Sequence, residues 1–515
     1  MQAYQDALVA DDWTLNPSIF AYNLAFRPNT FEVGDMASDW EFTGPTTYVV
    51  HIRPGIMYQN IAPVNGREFT SADVVYHYDR ILGLGDGFTT PSPYFATVTA
   101  WLALKSVVAN DKYTVTFTWS GVSQESICET CQGGGSDEYF EAQEAVNQWG
   151  NLQDWHHAIG TGPFIVTDYV DGAAATLVKN PNYWAHDERH PQNQIPYVSG
   201  LKVLIIANLA TAQAAVRAGK LDAIDTLTLQ QAQQMTKTNP SLLQLTYPGG
   251  PATVDPKNDV KPFTDIRVRQ AMQEALNLPQ IASSFYQGTA SPYPSTMTSM
   301  YMTGWTYPYT QWSASLQQAY AYNPTNAKAL LAAAGYPNGF TTDIVTANSS
   351  DLDLLQIIQS EFAAVGITMT INVYDYATWN TMVRAKKHDQ LAYNNSAGFT
   401  FPPLMGFRRF QSTSGNNWCD VVDPSWDALY AQALAATTVA QTQALVVQGN
   451  QYEAAQQWLI TLPTTSNFAV YQPWLKGYNG QEFSISGSSG VLWIGFYCAR
   501  FWIDENLKQS LGYGS

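Results

Sequence analysis

The 515 residues predict an α/β fold with about two to four domains' worth of core. Three observations point that way. Hydrophobic residues make up 45% of the chain and the 27 prolines are scattered, which excludes a disordered tail and a fibrous repeat. From residue 262 onward, strand patterns alternate with helical ones, the order that builds parallel α/β units. No period of about 20–50 residues recurs, so a solenoid is excluded.

The elements follow in order. Residues 46–53 are β-rich and end at the turn pair Pro54-Gly55. Thr70 or Ser71 caps a helix whose apolar stripe is Val74, Val75, Tyr78, Ile81 and Leu82. Residues 112–119 alternate as a strand does. A second block opens at Gly160-Thr161-Gly162-Pro163, with strands at 164–169 and 174–179. Its run 201–207, apolar but for Lys202, predicts a buried strand, and the helix 211–218 after it stops at Gly219. The third block predicts helices at 266–276, 325–334 and 352–365, with strands at 341–346 and 368–373. One long Ala- and Gln-rich helix is expected over 427–458.

Composition excludes several functions. Charged residues are only 13%, aromatics reach 13%, and 42 acidic against 25 basic side chains give a net charge of −17. A phosphate-backbone binder needs a basic footprint, so nucleic acid is excluded as a partner. The most apolar helical stretch, 203–216, is too short to span a bilayer and is flanked by Lys202 and Arg217. Met1 leads straight into Gln2-Ala3-Tyr4-Gln5-Asp6, without the basic and then apolar run of a secretory signal.

Catalytic motifs are equally sparse. His186-Asp187-Glu188-Arg189-His190 spaces two imidazoles as a metalloprotease helix would, but Asp187 stands where the motif has Glu. His156-His157 are sequence neighbours and read as surface. There is no phosphate-binding glycine loop with its lysine, and Gly487-Ser488-Ser489-Gly490 is not a nucleophile elbow. A carboxylate pair could sit among so many acids, which keeps a secreted glycoside hydrolase as the alternative from another class. No cofactor is expected.

The four cysteines are Cys128, Cys131, Cys419 and Cys498. Cys128 and Cys131 stand beside a glycine run. They read as a loop-closing disulfide, since a zinc site needs a second pair and a redox motif needs a strand and a helix around it. Cys419 and Cys498 are candidates for a second bridge.

An ordered set of segments carries a resemblance. Asp39-Trp40-Glu41-Phe42 is followed by Arg53-Pro54-Gly55 and by Pro63-Val64-Asn65-Gly66-Arg67-Glu68-Phe69-Thr70-Ser71-Ala72-Asp73. Next come Gly160-Thr161-Gly162-Pro163-Phe164, Lys179-Asn180-Pro181-Asn182-Tyr183-Trp184 and Ala218-Gly219-Lys220-Leu221-Asp222. Pro262-Phe263-Thr264-Asp265-Ile266-Arg267-Val268-Arg269, Tyr322-Asn323-Pro324 and Pro473-Trp474-Leu475-Lys476-Gly477-Tyr478 complete it. The set resembles the family 5 extracellular solute-binding proteins, the oligopeptide- and dipeptide-type receptors of ABC importers. The resemblance implies the two-lobed periplasmic-binding-protein (class II, Venus-flytrap) fold. Lobe I would take 1–40, 157–255 and 480–515, with an extra subdomain at 41–156, and lobe II 256–479. It further implies a non-enzymatic, monomeric receptor outside the cytoplasm, in the periplasm or on the cell surface with a lipid anchor, that closes over a solute and meets ABC permease subunits. Gly66 would be a turn glycine, Asp265 a helix cap, and Arg267 or Arg269 a packing or ion-pair residue. Residues 4–8 resemble the helix that follows the family's first strand, so that strand and the signal segment read as missing from this chain.

Peptide-binding members resemble one another in carrying an acid after the strand equivalent to 390–394, where it pairs with the peptide's ammonium. Here the stretch Gln390 to Trp418 contains no acid and offers amides and rings. Tyr393, Asn394, Asn395 and Phe399 are therefore the candidate ligand contacts, with Trp418, Trp379 and Tyr376 as further rings. Peptides come first among the expected ligands and neutral oligosaccharides second.

Overall fold

The computed structural model describes residues 3–20, 22, 29–92, 104–121, 140–348, 350–394, 403–481 and 494–514. The chain forms two compact units, one of 1–247 with 467–515 and one of 248–466. The changeovers fall at 247/248 and 466/467, and the resemblance implies lobe bounds at 255/256 and 479/480. Both changeovers lie inside strands, Leu243–Pro256 and Ile460–Tyr471, the first at the run Pro248-Gly249-Gly250-Pro251, which the strand passes through without turning.

The first unit carries a four-stranded antiparallel sheet in the order Ala37–Gly44, Thr47–Ile52, Thr114–Trp119, Leu104–Asp111. Alternation in Thr47–Ile52 and Thr114–Trp119 turns Tyr48, Val50, Val115, Phe117 and Trp119 inward, against Phe69, Val74 and Tyr78. Helix Ser71–Leu82 starts where expected: the Thr70 N–H donates to Asp73 Oδ2 at 2.9 Å, and Gly83 ends it in the left-handed region at φ 70°. Gly66, with φ 69°, is the turn glycine expected at that position.

A second sheet in this unit orders Gly200–Leu204, Ala174–Lys179 and Phe164–Val170. The apolar run 201–207 is therefore not a buried strand. It sits at the edge of a three-stranded antiparallel sheet, half-buried, with Ile205 exposed. Residues 4–8 are not helical either. They run irregularly past 160–164, with Gly162 N–H donating to the Tyr4 carbonyl at 3.0 Å, and lead into the short strand Val9–Asp11. His186–Asp187 and His190–Gln194 form a two-stranded antiparallel ladder rather than a metal-binding helix.

In the second unit, Phe340–Ala347 pairs in parallel with Ile367–Tyr374 and with Leu391–Asn394, as the alternation of strands and helices predicts. Leu391–Asn394 then pairs antiparallel with Leu243–Pro256, so the sheet is mixed. Helices Ile266–Ala275, Pro324–Ala333 and Leu352–Ala364 supply Val268, Ala271, Leu331, Leu354, Leu355, Ile358 and Phe362. These pack with Val254, Ile344, Ile367, Leu391 and Tyr393 of the strands. Asp265 caps the first of these helices, accepting from Arg267 N–H at 2.9 Å, and Arg267 pairs back with it. Arg269 is buried and gives three hydrogen bonds to the carbonyls of Gln457, Phe263 and Gln456. The expected helix 427–458 is two helices, Pro424–Ala435 and Val439–Gln456, because Thr438 caps the second with its side chain.

Candidate ligand-binding face

Strand periodicity divides the candidate residues. Along Leu391–Asn394, Leu391 and Tyr393 point into the helix-covered core, whereas Ala392 and Asn394 point to the other face. Tyr393, 2% exposed, is thereby a core ring. On the second face Ala392 meets Val345, Ala347, Val383, Trp379 and Trp418. Trp379 comes from helix Tyr376–Arg384, which Asp375 caps by accepting from Thr378 N–H at 3.0 Å. Trp379 and Trp418 meet edge to face, ring centres 5.4 Å apart, and both are buried. Neither indole N–H has a hydrogen-bond partner. Tyr376, 5.7 Å from Trp379, is 58% exposed. Asn395 and Phe399 lie outside the described residues.

Asn394 stands opposite Thr253 in the register, and Asp255 stands opposite Ala392. Thr253, Asp255 and Asn394 thus share the face of the tryptophans. Arg409 reaches them from beyond the short helix Pro403–Phe407. Its Nη2 donates to Thr253 Oγ1 at 2.6 Å and to Asp255 Oδ1 and Oδ2 at 2.9 and 3.1 Å. The Thr253 hydroxyl donates to Asp255 Oδ1 at 2.6 Å, and Asn394 Nδ2 approaches Asp255 Oδ2 at 3.5 Å. Asp255 and Arg409 are both buried.

Sequence reasoning did not single out this group. The signal was present, as an acid in the buried strand segment Ala252-Thr253-Val254-Asp255 and two arginines, Arg408 and Arg409, between Phe407 and Phe410. A buried charge demands a partner. The partner itself lies 154 residues away.

Close by, Asp420 lies between Lys257 and Lys386, each 3.0 Å from a carboxylate oxygen. His388 is buried beside them, and burial, reinforced by Lys257, holds its imidazole below the usual range. Burial pushes the Cys419 thiol well up and lifts Glu453 to about 8, with Arg409 opposing the latter shift. Cys419 and Cys498 do not form the expected bridge. Both thiols are free and buried, each within a different unit, Cys498 among Ala3, Phe496, Tyr497 and Phe501 of the first. Cys128 and Cys131 lie outside the described residues. Among the described residues no cluster of His, Cys, Asp and Glu could hold a metal ion, and no helix is long and apolar enough to cross a membrane.

The model of the bacterial extracellular solute-binding proteins, family 5 Middle, matches residues 32–418. Heme-binding protein A of Haemophilus influenzae is 26% identical over 515 aligned residues, covering 95% of this chain and 90% of its own length. A dipeptide-binding protein of Pseudomonas aeruginosa is 25% identical, covering 89% of this chain and 85% of its own. Among solved structures, the periplasmic binding protein DppA from Helicobacter pylori, in complex with the peptide STSA, superposes with a TM-score of 0.73. It is 20% identical and covers 97% of this chain and 92% of its own, a likeness of fold.

Proposed function

We propose, since the chain belongs to the family 5 bacterial extracellular solute-binding proteins, that it is the extracytoplasmic receptor of an ABC importer for short peptides or similar polar solutes. The family match across 32–418 carries this reading, and relatives named for binding dipeptides and heme align over nearly the whole chain. A receptor of this kind breaks no bond. The solute binds one conformer more tightly than another and shifts the population toward it.

The second face of the sheet in unit 248–466 is the proposed contact surface on this unit. Its two indole N–H groups are buried donors without partners, and a buried donor left unpaired costs about 1–3 kcal/mol. A carbonyl or carboxylate oxygen of the solute meets that need once either indole turns its N–H out to the face. The ammonium of a peptide finds no acid between Gln390 and Trp418, and the buried carboxylates of Asp255 and Asp420 are engaged by Arg409 and by Lys257 and Lys386. The solute is therefore held through its acceptors rather than its amine.

A thermal-shift screen at neutral pH tests this, with alanine peptides of two to five residues, their N-acetylated forms, and cello-oligosaccharides. A ligand at about 100 times its dissociation constant adds about 2.7 kcal/mol to the folded state. Equal shifts from free and N-acetylated peptides are expected. A shift lost on acetylation would place an acidic anchor elsewhere, and a shift with sugars alone would move the solute class. No shift with any of them would remove the peptide reading.

A further inference from the structure

We propose that Arg409 and Asp255 form a positioning clamp for the binding face, holding strand end Asn394 and the segment Pro403–Phe410 to the one strand Leu243–Pro256. The inference rests on the receptor reading above and adds to it the residues that set the geometry of its contact surface.

Connectivity carries the argument. Strand Leu391–Asn394 ends at Asn394, and the described chain resumes at Pro403 in a helix that ends at Phe407. Arg409, two residues further, is tied by one guanidinium nitrogen to three oxygens of a single neighbouring strand. That same strand holds Asn394 through the ladder, and Asp255 Oδ2 lies 3.5 Å from the Asn394 amide. Both points are referred to one carboxylate. Trp418 rejoins the same face nine residues on, packed with Ala392 and Trp379.

Energetics give the pair a role other than stability. A buried ion pair stabilises little compared with an apolar pair of similar volume, whereas breaking one costs about 3–5 kcal/mol. What such a pair does supply is register. Slipping the antiparallel pairing by one residue would turn Asp255 into the core now filled by Val254, among Ile344, Leu391 and Leu462, where its charge has no partner. Glu453 and Cys419 also face the pair, but burial keeps both protonated at neutral pH, so Asp255 remains the carboxylate that answers Arg409.

Amide hydrogen exchange on the full chain tests the clamp without needing a ligand. Four variants are compared with wild type: Arg409→Met, Arg409→Lys, Asp255→Asn, and the double variant Asp255→Leu with Arg409→Met. Arg409→Met should raise exchange at 391–394 and 403–411 at least about tenfold while helix Leu352–Ala364 keeps its protection. Arg409→Lys keeps the charge without the planar fork and should recover only part of the difference. The double variant replaces the pair by apolar groups, so it should melt at or above wild type and still show raised exchange in those two segments. Wild-type exchange there in the double variant would overturn the proposal, leaving an ordinary ion pair. So would a rise spread evenly over the second unit in all variants.

Trialanine affinity supplies the second arm, with about a tenfold loss expected in both Arg409→Met and the double variant. Should wild type bind neither trialanine nor any other screened peptide, the peptide reading falls while the exchange arm still decides the clamp. Undiminished trialanine binding in the double variant would overturn the link between the clamp and recognition.

Discussion

Glu453 shows what a single buried group does to the molecule. Its side chain accepts the Met297 N–H at 3.0 Å, and burial lifts its carboxyl from 4.5 to about 8. An unfolded chain releases this proton near 4.5, whereas the folded one holds it to about 8. Between those values the native state binds the extra proton, so stability falls as pH rises, and the loss is complete above about 8. Asp6 and Asp35, also raised by burial, act in the same direction. The difference between wild type and Glu453→Gln isolates the one group. Urea unfolding of the variant should depend less steeply on pH across that window, with higher stability than wild type near about pH 9. Parallel pH curves for the two proteins would refute the assignment. Residue roles of this kind were partly legible in the sequence. Asp265 as a cap and Gly66 as a turn follow from local chemistry, while the burial of Glu453 and the pairing of Asp255 depend on contacts made across the fold.

Elements were legible wherever their signal is local. The strand 174–179 and the helices near 266, 325 and 352 stand within a residue or two of their expected limits, because apolar period and caps coincide there. The stretch 427–458 misled because alanine and glutamine favour helix on both sides of the break at Ala436, and Thr438 reads as an ordinary residue until its side chain is seen capping. Helix Val439–Gln456 also contains a test of packing against propensity. A Cβ on Gly449 would lie 2.7 Å from Phe407 Cζ and 2.8 Å from Met297 Cε. Gly449→Ala gains about 1 kcal/mol of helix propensity but crowds a core that resists added volume by about 1–3 kcal/mol. A net loss of up to about 2 kcal/mol is expected in urea unfolding. A stabilised variant would show that the aromatic ring yields freely. On the candidate face, composition directed attention to 390–418, but the alternation that sends Tyr393 inward and Asn394 outward needed the register.

At the scale of the whole molecule, each unit holds its own apolar core, Phe117 and Trp119 belonging to the first and Leu355 and Phe362 to the second. Leu355→Ala should cost about 2–5 kcal/mol and raise hydrogen exchange chiefly within 248–466, while Phe117→Ala should act chiefly on the other unit. An even rise throughout the chain after either substitution would mean that the two units unfold as one. The order of the chain has a further consequence for synthesis. The second unit is an uninterrupted stretch, so its core is complete once residue 466 has emerged. The first unit joins Ala3, Trp13 and Tyr22 to Tyr471, Tyr497 and Phe501. On a chain made from the amino end, those first aromatic side chains wait for the last to be polymerised, exposed to chaperones and to one another throughout. The core around Phe117 has all its residues by Ile159, but the cluster that joins the two ends of the chain closes last, and a ribosome stalled late in the message would release a finished second unit beside that open seam of the first.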